Sequence, residues 1–364
     1  MKVLLLAGEE SGVLYADRIR AEVLKRLPDA EIRGYGDYGF KVADLAVMGI
    51  GQVLKRIFYF LRVKKTMEKA IAEWRPDVVC TVDYPGMNLK LAAYAKSWGL
   101  RTVHVVCPQV WAWKRGRIPK IEASLDKLCC FFPFEPELFR PGFAEFVGHP
   151  LVDEMQGFAT KGHKEGAEKL LAVLPGSRLG EIEKHLPTLL KVVETLQREI
   201  PDLKVVIPAA NDRAYTAITS QTSRTSRTSQ TFRVTRGEAR AALRDATAAV
   251  VASGTATLEA ALVGCPTVLV YKVGWLFAFL ARRFIKGIRH IGLANIIAEK
   301  AGKQCPMPEL LQEDFTAEKV LAVLRPLFER EEANAVARAL LNETMKLLRS
   351  DGGAIARIAA RILG

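Results

Sequence analysis

The sequence lacks several signatures that would settle its chemistry early. It has no Asp-x-Asp pair, so the usual acidic metal-chelating motif is missing. It has six cysteines, Cys80, Cys107, Cys129, Cys130, Cys265 and Cys305, but no Cys-x-x-Cys pair. Most lie in apolar runs, which reads as reduced core thiols of a cytosolic protein rather than a disulfide framework or a zinc site. The five histidines, His104, His149, His163, His185 and His290, are scattered. His104 sits inside a strand pattern and reads as a core residue. No apolar stretch approaches the ~20 residues that span a bilayer, so any membrane contact is peripheral. Met1–Gly8 is basic then apolar, but it is too short for a secretory signal and Glu9-Glu10 follow at once; it reads as a first buried strand. Gly34-Tyr35-Gly36-Asp37-Tyr38-Gly39 spells a dinucleotide fingerprint, yet it follows a weak strand segment and opens no clear helix. We read it as a loop.

What is present suits a large folded core. The chain has 364 residues, 49% hydrophobic and 26% charged, enough for two or three domains. Basic residues outnumber acidic ones by 53 to 40, a net charge of +13, which favours an anionic partner: a phosphate ligand, an acidic membrane surface or nucleic acid.

Short apolar runs alternate with amphipathic stretches. Val3–Ala7, Val78–Val82 and Thr102–Val106 read as strands, with helices at Val13–Leu27 and Leu89–Trp98. The rhythm restarts after a polar stretch near Phe158–Glu168. Leu170–Leu174, Leu203–Ile207, Ala248–Ala252 and Thr267–Tyr271 read as strands, Glu181–Glu199 and Thr255–Val263 as helices. This predicts an α/β fold of two doubly wound, Rossmann-like halves joined near residue 160, with ligands beyond the carboxyl ends of the strands and a cleft between the halves. The expected divisions are 1–160, 161–315 and a helical tail, 316–364. Ser220–Thr231 has almost nothing apolar to bury and reads as an exposed loop.

The candidate chemistry lies in loops that follow strands. Gly8-Glu9-Glu10-Ser11-Gly12 separates the first strand from the first helix; its glycines let a ligand approach, and its acids suit a sugar hydroxyl better than a phosphate. Asp83 closes an apolar strand, where a carboxylate can accept a hydroxyl proton; the alternative is that Asp83 or Asn88 only caps the next helix. Val110-Trp111-Ala112-Trp113-Lys114-Arg115 could stack on a sugar, meet lipid headgroups or anchor the core. Pro175-Gly176-Ser177-Arg178 lacks the Gly-Lys-Ser/Thr ending of a P-loop, but Arg178 there could clamp a diphosphate. Ser253-Gly254-Thr255-Ala256-Thr257-Leu258-Glu259 places small residues at a helix start, whose free N–H groups suit a diphosphate, with Glu259 placed for ribose hydroxyls. Val53, Leu54, Ile57, Phe60 and Leu61 share a helical face amid cations, which suits an anionic membrane interface or an ordinary core; Trp275–Arg289 could assist.

Taken as a set, these segments resemble the lipid-A-disaccharide synthase family along nearly the whole chain. The resemblance also rests on Ala46-Val47-Met48-Gly49, Pro76-Asp77, Pro133-Phe134-Glu135 and Val147-Gly148-His149-Pro150. It implies a GT-B fold and an inverting glycosyltransferase of family 19. The implied reaction moves 2,3-diacylglucosamine from its UDP derivative to 2,3-diacylglucosamine 1-phosphate. The products are the β-1,6 disaccharide 1-phosphate of lipid A biosynthesis and UDP. The resemblance marks Asp83 as a candidate general base with Glu9 beside it, and assigns Arg178, Ser253, Gly254, Thr255, Ala256, Thr257, Glu259 and Asn295 to the nucleotide side. It marks Val53–Leu61 as membrane-facing. It implies no metal or other cofactor, no nucleic acid, a location at the cytoplasmic face of the inner membrane, and room for a homodimer exchanging C-terminal elements. The chain departs from the family pattern at Val13, Gly86 and Ala294. Rivals on the same architecture are a UDP-N-acetylglucosamine epimerase and a peptidoglycan-type transferase; a basic nucleic-acid module is the non-enzymatic rival.

Overall fold

The computed structural model describes residues 1–41, 57–155, 158, 168–225, 232–274 and 289–364. The chain divides into two compact units, Met1–Asp153 with Leu348–Gly364, and Glu154–Leu347.

The first unit holds a parallel sheet of β1 (Lys2–Ala7), β2 (Glu31–Arg33), β3 (Val78–Val82), β4 (Arg101–Val105), β5 (Lys127–Cys130) and β6 (Ala144–Phe146). The order is β2-β1-β3-β4-β5-β6. β1 shows why a continuous apolar run makes such a strand. Val3, Leu5 and Ala7 face one layer with Ile19, Val23, Ile358 and Ile362. Leu4 and Leu6 face the other, against Val63, Met67, Ile71 and Leu91. A strand covered on both faces must be apolar at every position. Helices Glu10–Arg26 and Ala354–Leu363 supply the first layer, and helices Ile57–Trp74 and Pro85–Ser97 much of the second.

The last helix is tied to this sheet by arginines. Arg101 donates to the carbonyls of Arg361 (2.7 Å) and Ile362 (3.2 Å), at the helix end where a cation is favoured. Arg357 and Arg361 both pair with Glu145. The segment 316–364 is therefore shared: helices Ala317–Glu329 and Glu331–Lys346 belong to the second unit, helix Ala354–Leu363 to the first.

The second unit repeats the plan with β7 (Leu170–Leu174), β8 (Lys204–Ala209), β9 (Phe232–Arg236), β10 (Ala248–Ala252), β11 (Thr267–Tyr271) and β12 (Glu309–Leu311). All are parallel, in the order β12-β11-β10-β7-β8-β9. Leu171, Val173, Val205, Ile207, Val250 and Val268 meet helices Leu179–Glu199 and Ala317–Glu329 in one core.

In each sheet the strand order reverses once: between β1 and β3, and between β7 and β10. Loops leaving adjacent strands in opposite directions open a crevice there, the standard ligand position in doubly wound sheets. The loops after β1 and β3 carry Gly8–Gly12 and Asp83. Those after β7 and β10 carry Pro175–Arg178 and Ser253–Ala256.

One expectation needs revision and another holds. Ser220–Thr225 is not a loop, because helix Asp212–Thr225 runs through it; residues 226–231 lie outside the described residues. The hydroxyls of Thr219 and Ser223 fold back onto the carbonyls of Tyr215 (2.9 Å) and Thr219 (2.8 Å), so these polar residues are satisfied inside the helix. The fingerprint-like Gly34–Gly39 is a single 3-10 turn, Tyr35–Tyr38, as its weak context implied.

Candidate active site

At the carboxyl end of β3 the backbone leaves ordinary territory. Asp83 and Tyr84 have φ of +51° and +50°, and Val106, just past β4, has +75°. Non-glycine residues seldom sit there, and a β-branched valine is a marked outlier; such strain gathers at functional sites. The Asp83 N–H donates to Val105 O (2.9 Å). Fully buried Asn88 locks the turn: its amide nitrogen donates to the carbonyls of Asp83 (2.8 Å) and Val82 (3.1 Å), and its oxygen accepts from Tyr35 Oη (2.8 Å). Asn88 thus positions the strand end rather than capping a helix.

Asp83 is half-buried, and its Oδ1 accepts from the next residue's N–H (2.8 Å). Burial raises its carboxyl above the usual range, against the Tyr84 hydrogen bond that lowers it. Glu9 is raised too, by burial first and then by the charge of Asp83. The two acids thus lie on the loops after β1 and β3, near enough for the charge of Asp83 to reach Glu9. Gly8 makes the approach possible: a Cβ there would lie 2.3 Å from the Tyr84 ring.

Asp83 lines a cavity of about 220 Å³ with Cys107, Gln109, Trp113, Arg117 and Glu135 among others. Glu135, at 1% exposure, joins two motifs that looked separate in sequence. Its Oε1 accepts from Trp111 Nε1 (3.2 Å) and its Oε2 from Phe132 N (3.0 Å), and Trp111 meets Phe134 edge to face at 5.6 Å. Burial pushes Glu135 up to about 8, so it is a neutral acid at pH 7. Trp111 is a structural anchor, while Trp113 is exposed with Lys114 over its ring.

The Glu135 carboxylate lies within 4.8 Å of the sulfurs of Cys107 and Cys130, a metal-compatible group that no sequence spacing announced. Donating its hydrogen bond to Cys107, then burial, pushes the Cys130 thiol far up. Contact with Cys130 lowers Cys107, but burial leaves it above its ordinary value. A metal would have to displace all three protons.

In the second unit the two strand-end loops differ. After β7, Gly176 has φ +121°, and a Cβ there would meet Glu181 at 2.7–2.8 Å. Glu181 Oε2 accepts from Ser177 N (3.2 Å) and Arg178 N (3.3 Å), so this helix start already holds a carboxylate. Arg178, 62% exposed, pairs with Glu181 Oε1 at 3.0 Å and keeps most of its guanidinium outward.

After β10, helix Thr255–Leu262 begins at Gly254 with no side-chain cap. Ser253 N donates to Val270 O (3.2 Å). Gly254 and Thr255 are exposed and Ala256 half-buried, so the candidate anion seat at this helix start is open to solvent. Buried Thr257 is not part of that seat: its hydroxyl and N–H both donate to Gly254 O. Glu259 is bound to Arg240 at 2.8 Å, and Arg240 also to Glu154 at 3.1 Å, which leaves Glu259 only part of its acceptor capacity. Asn295 departs from expectation. It is fully buried, donating to Met307 O (2.7 Å) and Glu309 Oε1 (2.8 Å) and accepting from Met307 N (3.0 Å), so it is a positioning residue rather than a nucleotide contact.

Sequence reasoning missed His185. Its Nε2 accepts from Lys272 N (3.0 Å), so Nδ1 carries the proton donated to Pro175 O (2.8 Å), and burial keeps the ring neutral. It fastens the β7 loop to the segment after β11. Its only sequence signal was a histidine seven residues after Arg178 on an otherwise core-facing helix.

Val53 and Leu54, like Ala46–Gly49 and residues 275–288, lie outside the described residues. On helix Ile57–Trp74, Ile57 and Leu61 are exposed, and Phe58 most of all at 82%. Phe60 is half-buried against the core, so Phe58 replaces it on the outer face. No described helix is long and apolar enough to cross a membrane.

Comparison with known proteins places these features in one family. The family model for lipid-A-disaccharide synthetase matches residues 3–359. The lipid-A-disaccharide synthase of Syntrophus aciditrophicus is 35% identical over 95% of this chain and 93% of its own length. Among solved structures, MurG of Acinetobacter baumannii superposes with a TM-score of 0.58 at 15% identity, covering 100% of this chain and 99% of that one. The glycotransferase of kitacinnamycin gives 0.64 at 16%, covering 99% and 97%. At such identities the structures speak for the fold, which is GT-B. With the match running through β1, the Asp83 turn and the helix start at Thr255, the chain belongs to the lipid-A-disaccharide synthetase family.

Proposed function

We propose that this glycosyltransferase moves 2,3-diacylglucosamine from its UDP derivative to the 6-hydroxyl of 2,3-diacylglucosamine 1-phosphate. The acceptor oxygen bonds to the anomeric carbon as the bond from that carbon to UDP breaks. A single displacement inverts the centre and gives the β-1,6 disaccharide 1-phosphate. Asp83 takes the hydroxyl proton; a carboxyl held above its usual range is the stronger base. Glu9, itself raised by burial and by the charge of Asp83, lies beside it. The second unit binds UDP: the Gly254–Ala256 helix start and Arg178 offset the charge on the leaving diphosphate, so no metal is required.

The apolar tip of Ile57, Phe58 and Leu61, followed by Arg62, Lys64 and Lys65, supports a peripheral membrane contact that leaves the acyl chains in the lipid. The observation that carries the reading is the strained, half-buried Asp83 at the β1–β3 reversal in a chain of this family.

The test is incubation with both lipid substrates, read by mass spectrometry. Wild type yields disaccharide and UDP. Asp83→Ala loses roughly 10²- to 10⁴-fold in turnover, the usual range for a general base, while UDP binding by calorimetry stays intact. Full activity in the variant disproves the base assignment.

A further inference from the structure

The cavity beside Asp83 lies within the first unit, and its 220 Å³ falls below the ~300–1,000 Å³ of sites that hold drug-sized ligands. It has room for a sugar headgroup, with acyl chains outside. Its charged lining is uneven: two acids, Asp83 and Glu135, and one cation, Arg117.

Arg117 differs from the other half-buried arginines. Arg101 is engaged by helix carbonyls, Arg240 by two glutamates, and Arg338 by Asn334 and the carbonyls of Gly264 and Ala246. The Arg117 guanidinium has no partner among the described residues. It closes a 3-10 turn, Arg115–Arg117, entered through Lys114 at φ +56°, and its own N–H donates to Lys114 O (3.0 Å). A planar five-donor fork left open in a half-buried cavity suits a phosphate, which it can bind through two parallel hydrogen bonds.

Resting on the transferase reading above, we propose that Arg117 clamps the anomeric phosphomonoester of the acceptor and so presents its 6-hydroxyl to Asp83. The chemistry is consistent. Phosphate and nucleophile are carried on carbons 1 and 6 of the sugar, so one group can engage the cation while the other meets the base. Burial favours the neutral form of the remaining acid of the lining, Glu135, which limits its repulsion of the phosphate. Lys114 stacks on Trp113, and Arg115 does not line the cavity, which leaves the clamp to Arg117.

The experiment is steady-state kinetics with two acceptors, diacylglucosamine 1-phosphate and its dephosphorylated counterpart, on wild type, Arg117→Gln and Arg117→Lys, each with a melting curve. A charge-assisted contact predicts that Arg117→Gln raises KM for the phosphorylated acceptor roughly 10- to 100-fold, while KM for the donor and for the dephosphorylated acceptor changes by less than about twofold. Arg117→Lys should recover part of the loss. Equal losses on both acceptors, a shift confined to the donor, or no shift would overturn the assignment. Wild type that glycosylates neither acceptor would instead overturn the transferase reading itself.

Discussion

The carboxyl edges of the two sheets share a topology but solve different problems. On the first, positive φ falls on Asp83, Tyr84 and Val106, with Asp83 half-buried and Glu135 buried beside it. On the second, the loops after β7 and β10 carry it on Gly176 and Gly254, Gln312 past β12 being the non-glycine case, and a helix start is left uncapped. Strained side chains in a dry setting suit proton removal, which needs one carboxylate at a fixed place with a raised pKa. Glycine turns with open N–H groups suit a diphosphate, which needs several donors and close backbone approach. On the proposed reading, one architecture offers a base at one reversal point and an anion seat at the other.

Three changes sharpen or break this contrast. The largest effect is expected from Gly8→Ala. Its Cβ would enter the Tyr84 ring and push the Asp83 turn; a displacement of that kind costs on the order of 10²-fold in turnover, and overpacking costs about 1–3 kcal/mol of stability. UDP affinity should not move; if it falls as far as turnover, the division of labour is wrong.

Next is Thr255→Pro. Proline is tolerated at a first helical position but removes one N–H. A lost hydrogen bond to a charged group should weaken UDP binding roughly tenfold or more by calorimetry, with the helix intact by circular dichroism. Unchanged UDP affinity would empty the proposed seat.

The smallest effect concerns stability. Glu135 is held at about 8 in the folded chain, against an ordinary 4.5. Between those values the folded chain keeps a proton that the unfolded chain has lost. Its contribution to stability is therefore full below 4.5, declines as pH rises to about 8, and is level above that. Glu135→Gln should flatten this part of the slope in urea midpoints taken across the window. A slope identical to wild type would mean that Glu135 is already ionised at neutral pH.

Much of this was legible in advance. β1, β3, β7 and β10 read directly as apolar runs, because a strand covered on both faces must be apolar throughout. Asp83 and Ser253 stood out because each ends such a run. The Ser220–Thr225 helix was misread, because hydroxyls that satisfy their own helix look the same in sequence as those facing water. Asn295 was assigned to the ligand because a polar residue fully engaged in the core carries no sequence mark. Phe60, expected on the outer face, packs against the core while Phe58 is exposed, since a helical face is settled only by what packs on it.

The amino-acid order alone determined the α/β class, the strand-end loops and the family, because these follow from local periodicity and contiguous motifs. Tertiary structure decided the order of strands and hence the two reversal points, the attachment of the last helix to the first sheet, the meeting of Trp111 with Glu135, and the placing of Arg117 and Asp83 on one cavity. Those pairings join residues far apart in the chain, and only the packing of both sheet faces selects which distant partners meet.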